Sequence, residues 1–225
     1  MGSLLITFSG LDGAGKSTQI AHLVGRLEAK GERPAIIWTR GGYTPVFEAL
    51  KKLLRRTSRG RVVPPAGHSP QREQALSRPF IRRLWLTLAI LDLIWVYGVQ
   101  VRWRHLRGLT VICDRYLWDT LLDFRLNFPQ EQVERWWLWR ILQCVSPKPD
   151  VAFALLIPVG ESLRRSQQKN EPFPDPPEVL DRRLAAYEEL EKRAGWHVMD
   201  GCRPLDELAD EIWEIVQTAM NSTSS

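Results

Sequence analysis

The chain reads as an α/β protein, with a five-stranded parallel sheet flanked by helices in three layers and a mobile lid. Three observations predict this. Short apolar runs rich in β-branched residues alternate with longer helical patterns, as in strands joined by crossover helices. A glycine-rich turn ending in Lys16-Ser17 links the first strand to the first helix. The 225 residues suffice for one full core, so a single domain over 1–225 is expected.

Taken in order, the first strand covers Leu4–Ser9 and leads into Gly10-Leu11-Asp12-Gly13-Ala14-Gly15-Lys16-Ser17, which fits the phosphate-loop pattern G-x-x-x-x-G-K-[ST]. The glycines let the backbone curl until several N–H groups converge on one anion, and the helix Ser17–Lys30 adds its N-terminus. Residues Gly10 through Thr18 are thus expected to bind a nucleoside triphosphate, with Lys16 on the outer phosphates and the Ser17 hydroxyl on Mg²⁺. A second strand is expected at Ala35–Thr39 and a helix at Pro45–Arg56. Residues 59–79, rich in Gly, Pro, Ser and Arg, read as a flexible insertion.

Next comes a long helical pattern, Pro70–Leu106, whose stretch Leu84–Val101 is nearly long enough to span a bilayer. Asp92 lies inside it, and a carboxylate at mid-membrane would cost about 2.5–3.5 kcal/mol. A buried core helix is the expectation, and membrane contact is not. Strands follow at Leu109–Cys113, Val151–Ile157 and Trp196–Met199, and helices at Pro129–Cys144, Glu161–Gln168, Pro177–Ala194 and Leu205–Ala219. The polar, proline-rich run within 164–178 reads as the lid, and 220–225 as a disordered tail. Three of the ten tryptophans, Trp136, Trp137 and Trp139, cannot all face inward at helical spacing. An exposed one suits a homodimer contact through Trp-rich helices, and a large core at the sheet flank is the other reading.

A net charge of +5 suits anionic ligands, but the arginines are scattered along the chain and do not suggest nucleic acid. Cys113, Cys144 and Cys202 lie far apart, as in a reduced cytoplasmic protein. The N-terminus lacks the pattern of a secretory leader.

Ligands of a parallel sheet collect beyond the C-terminal ends of its strands. Asp114 and Arg115 stand there, an acid able to hold the Mg²⁺ shell beside a guanidinium able to grip phosphates bidentately. Asp12 faces the same space, Trp118 could stack on a base, and Arg164, Arg165 and Lys169 could close from the lid on the transferring group.

Phe8-Ser-Gly-Leu-Asp-Gly-Ala-Gly-Lys-Ser-Thr-Gln19 resembles the opening of thymidylate kinases, Gly-x-Asp-Gly-x-Gly-Lys-[ST]-Thr. Thr39-Arg40-Gly-Gly-Tyr43-Thr44-Pro45 resembles that family's Thr-Arg-Glu-Pro-Gly-Gly-Thr-Pro, and Asp114-Arg115-Tyr116 its Asp-Arg-Tyr motif. Asp200-Gly201 is similar in place to its base-binding loop. The resemblance implies a P-loop kinase fold of the nucleoside monophosphate kinase type, ATP and Mg²⁺, and a nucleotide-like acceptor, most simply dTMP. It places Lys16 and Ser17 on ATP and Mg²⁺, Asp12 near the acceptor sugar, and Arg40 with Arg115 on the acceptor phosphate; beside these, Asp114 is a candidate for the metal, and Tyr43, Asp92, Tyr116 and Trp118 are candidates for the acceptor.

The chain also departs from the family. Gly41-Gly42-Tyr43 replaces Glu-Pro, and Leu93 follows Asp92 where the family carries an arginine that grips the acceptor phosphate. Arg78, Arg82 or Arg83 could substitute for it, or the acceptor is a nucleoside or a non-nucleotide molecule. A nucleotide-dependent switch or ATPase with a protein or membrane partner is the reading from another class. The chain carries neither an Asn-Lys-x-Asp guanine reader nor a Ser-Gly-Gly signature.

Overall fold

The computed structural model describes residues 3–38, 74, 76–169 and 175–223. The expected helix Pro45–Arg56, most of the insertion 59–79 and the middle of the lid lie outside the described residues. Five strands, β1 (Leu5–Gly10), β2 (Ala35–Trp38), β3 (Val111–Asp114), β4 (Val151–Leu156) and β5 (Trp196–Asp200), form one sheet in the order β2-β3-β1-β4-β5. Every pairing is parallel, so crossovers must leave one end of the sheet and return at the other. The first crossover starts with α1 (Lys16–Ala29).

Alternation along β1 assigns the two faces. Leu4, Ile6 and Phe8 point into a core shared with Leu23 and Leu27 of α1, and Phe8 packs on Phe153 of β4 at 5.0 Å between ring centres. Helix α7 (Leu205–Thr223), which follows α6 (Pro177–Glu188), closes this face through Leu208, Ile212 and Val216. Leu5, between them, points the other way, into a core built on the long helix α2 (Pro79–Leu106). Such alternation is what a sheet buried on both sides requires.

Helix α2 is long and apolar enough to cross a membrane, but half of its most apolar stretch is buried within the protein, as a core helix should be. Its segment Ile94–Val101 is π-helical. Gly98 in that segment lies so close to α4 (Trp137–Val145) that a Cβ there would come within 2.7 Å of a Val145 methyl.

Three expectations need correction. Helix α3 (Leu117–Asn127) was not anticipated. The expected helix Pro129–Cys144 is two 3-10 turns followed by α4, because Gln132 adopts a left-handed φ of 45° and breaks the run. Of its tryptophans, Trp139 is buried, Trp136 is half-buried with its indole N–H on the Glu131 carbonyl, and Trp137 is exposed. The chain end is helical to Thr223 instead of disordered from 220, since Met220 is buried against the α1 face.

Gly10, the last residue of β1, has φ 136°, and a Cβ on it would lie 2.2 Å from the Leu155 carbonyl oxygen of β4. Gly10→Ala therefore forces β1 and β4 apart where the phosphate loop begins. A loss of about 3 kcal/mol is expected, read as a Tm lowered by about 6–12 °C. A Tm within a degree or two of wild type would show that the loop absorbs the methyl group.

Candidate active site

The site sits at the C-terminal edge of the sheet, where the strand order reverses around β1. Gly13 and Gly15 take φ values of 79° and 87°, which lets the loop curl back before α1 starts. The Ala14 N–H donates to the Leu11 carbonyl at 3.2 Å and closes the turn. The first N–H groups of α1 have no carbonyl in the helix to meet, so they face the pocket as an anion cradle. Lys16 folds back under the loop, its Nζ donating to the carbonyls of Gly10 (3.0 Å) and Leu11 (2.8 Å). Burial, reinforced by Arg115, lowers its pKa to about 8.

Helix α5 (Val159–Gln168) fastens the loop from outside. The buried Ser162 hydroxyl donates to the Asp12 carbonyl at 2.7 Å. Arg165 reaches the carbonyls of Gly13 (3.1 Å) and Gly201 (3.2 Å) and pairs with Glu161. Arg164, more exposed, makes two bonds to the same Glu161. Hydrogen bonds from both arginines hold the Glu161 carboxyl down to about 2, so it stays charged at any working pH. Of the three lid cations, Lys169 alone lines the pocket. Arg165 is engaged as a clip between the phosphate loop and the Gly201 loop.

Strand β3 supplies the opposite wall. Burial raises the Asp114 pKa, with Lys16 and Arg115 opposing, and its Oδ1 is buried without a hydrogen-bond partner. Next to it, Arg115 is 6% exposed and holds a left-handed φ of 74°, unusual for a side chain of this size. It pairs with Asp12 across the pocket and lies 3.7 Å from Asp119. Asp119 is the floor beneath it, accepting from the Ser9 hydroxyl (2.6 Å), the Tyr116 N–H (3.0 Å) and the Tyr187 hydroxyl (2.6 Å).

The pocket thus unites Asp12, Gly13, Gly15, Lys16, Ser17, Thr18, Asp114, Arg115 and Lys169, as expected, and adds Trp38 from the end of β2. Other expected residues lie elsewhere. Tyr116 packs on Tyr97 with the rings tilted, 4.5 Å between centres, and donates its hydroxyl to the Pro147 carbonyl, inside the α2 core. Trp118 packs against the α1 core under the Arg193 guanidinium, 4.3 Å from its ring. Asp92 is buried on α2 and does not line the pocket. Arg40 and Tyr43 lie outside the described residues. Arg82 is buried and Arg83 exposed, and both are bound to Glu131 at 2.7 and 2.9 Å; Arg78 is exposed at the start of α2.

A phosphate cradle beside a buried acid and a buried arginine is equipped to move a phosphoryl group between two phosphorylated molecules. The family model for thymidylate kinase matches residues 87–212, more than half of the chain. The chain belongs to the thymidylate kinase family. It is 44% identical to the thymidylate kinase of Pelodictyon phaeoclathratiforme over 80% of this chain and 73% of that one. A thymidylate kinase from Thermomicrobium roseum is 29% identical over 97% of this chain and 96% of its own length. A probable thymidylate kinase from Metallosphaera sedula is 24% identical over 98% and 96%. The thymidylate kinase fold is the α/β sheet described above, and the chain is a phosphotransferase that uses nucleotide substrates.

The residues fit a magnesium-bound triphosphate. The orphaned Asp114 Oδ1 and the exposed Ser17 hydroxyl both line the pocket, and Mg²⁺ needs few protein ligands because phosphates and water complete its shell. Two residues that sequence reasoning passed over hold the site together. Ser162 carried no motif to find it. Asp119 carried one faint signal, an acid five residues beyond Asp114 in an otherwise mostly apolar run.

Proposed function

We propose that this thymidylate kinase family member transfers the γ-phosphoryl group of ATP to dTMP, giving dTDP and ADP in the cytoplasm. The observation that carries the reading is Arg115 beside the orphaned Asp114 carboxylate, both facing Lys16 in one pocket. An acceptor phosphate oxygen attacks the γ-phosphorus as the bond to the β-bridging oxygen breaks, so charge spreads over the γ-oxygens in between. Lys16 and the first N–H groups of α1 hold the β- and γ-phosphates. Arg115 holds the acceptor phosphate in line, and Lys169 approaches from the end of α5 to exclude water and take up charge. Ser17 and Asp114 would hold Mg²⁺, which would supply positive charge to the transferring phosphates. Asp12, already paired with Arg115, orients that guanidinium and faces the acceptor.

A second reading, a different acceptor, is favoured by one feature. The residue after Asp92 is Leu93, and Arg82 and Arg83 are both tied to Glu131. A coupled ADP-release assay of the purified chain against dTMP, other nucleoside monophosphates, nucleosides and sugar alcohols decides between them. Fastest release with dTMP is expected; faster release with another acceptor names that acceptor instead.

A further inference from the structure

We infer that Trp38 is the platform on which the acceptor's planar ring stacks, an inference that rests on the phosphoryl-transfer reading above. Strand register places Trp38 directly beside Asp114. It is the one aromatic residue among the described residues that line the pocket. The residue is 54% exposed. Exposure alone decides nothing, since Ile36, two residues back on the same face of this edge strand, is equally open. What separates the two is that Trp38 reaches the pocket and Ile36 does not.

The strand order sets which substrate it meets. The loop after β5 closes on the phosphate loop from the β4 side, where a Cβ on Gly201 would lie 2.9 Å from the Ala14 carbonyl oxygen. Trp38 stands on the opposite side of β1, beyond Asp114 and Arg115. That is the acceptor's side of the transferring group. The aromatic residues that follow Asp114 are already engaged: Tyr116 with Tyr97 and Pro147, and Trp118 with Arg193 and the α1 core. With no base contact available from them, an open indole next to the phosphate-gripping arginine supplies a stacking face that any planar base can use.

The test compares the full-length chain with Trp38→Ala and Trp38→Phe, measuring KM for dTMP, KM for ATP and kcat. Ribose 5-phosphate serves as a phosphorylated acceptor without a base. Trp38→Ala is expected to raise KM for dTMP about tenfold, within the range of base–aromatic stacking, with KM for ATP and the Tm essentially unchanged. Trp38→Phe is expected to recover most of the loss, because a phenyl ring still offers a face. An unchanged KM for dTMP in Trp38→Ala, an equal rise in KM for ATP, or no recovery by Trp38→Phe each overturns the inference. A wild type that is silent toward dTMP but active on another base-bearing acceptor fails the dTMP reading alone, and the same comparison on that acceptor then decides Trp38. A wild type that serves ribose 5-phosphate as well as any base-bearing acceptor, or serves none, overturns the stacking role.

Discussion

Replacing Lys16 with alanine is expected to lower kcat/KM by about a thousandfold or more while the protein stays folded. Losing one preorganised donor to a developing negative charge costs about 10²–10³ in rate, and here the donor is also the cation of the phosphate loop. The structural loss is small by comparison. The Nζ donates to the carbonyls of Gly10 and Leu11, and Leu11 keeps its bond from the Ala14 N–H. Burial works against the ammonium, as its pKa near 8 shows, so removing it also relieves a desolvation cost. The two effects nearly offset, and the Tm should move by no more than about 4 °C, the shift that about 1 kcal/mol gives a chain of this size. Coupled ADP release and thermal denaturation on one preparation separate the outcomes. Turnover above a tenth of wild type would remove Lys16 from the transfer step; inactivity with a collapsed Tm would make it structural.

The unit β1–loop–α1 is legible in the sequence because each level agrees: an apolar strand, glycines at the positive-φ positions and a Lys-Ser helix start. Helix α3 is not legible, for a reason tied to the site. Its inward face carries Asp119, Thr120 and Asp123, all buried, where an amphipathic pattern would show apolar residues. Those carboxylates point inward because buried partners meet them: Asp119 takes Ser9, Tyr187 and Arg115, and Asp123 lies 2.5 Å from Arg183. Polar function thus erased the periodicity that marks a helix. Trp38 escaped for a geometric reason: in sequence it reads as one more core residue of an apolar run, and only its register beside Asp114 shows that it reaches the pocket. Arg164 and Arg165 are chemically alike in sequence, and only the placement of Gly13 and Gly201 around α5 shows that Arg165 clips two loops together.

Arg115→Ala is expected to lower kcat/KM for dTMP by about 10²–10³, raise KM for ATP by no more than about threefold, and cost about 3 kcal/mol of stability. The stability figure sits at the low end of the about 3–5 kcal/mol seen when one member of a buried ion pair is removed. Asp12 can turn toward solvent, its side chain being 31% exposed. Asp119 cannot, but it keeps the Ser9, Tyr116 and Tyr187 donors. The left-handed backbone at position 115 is as unfavourable for alanine as for arginine, so the loss reports the guanidinium and not the strain. Arg115→Lys makes the sharper comparison. An ammonium restores a positive charge between Asp12 and Asp119 but not the planar fork that holds a phosphate at two oxygens. Its Tm should return most of the way to wild type while dTMP turnover stays about tenfold or more below it. If the two properties recover together, Arg115 serves the fold; if stability recovers and transfer does not, the guanidinium touches the acceptor.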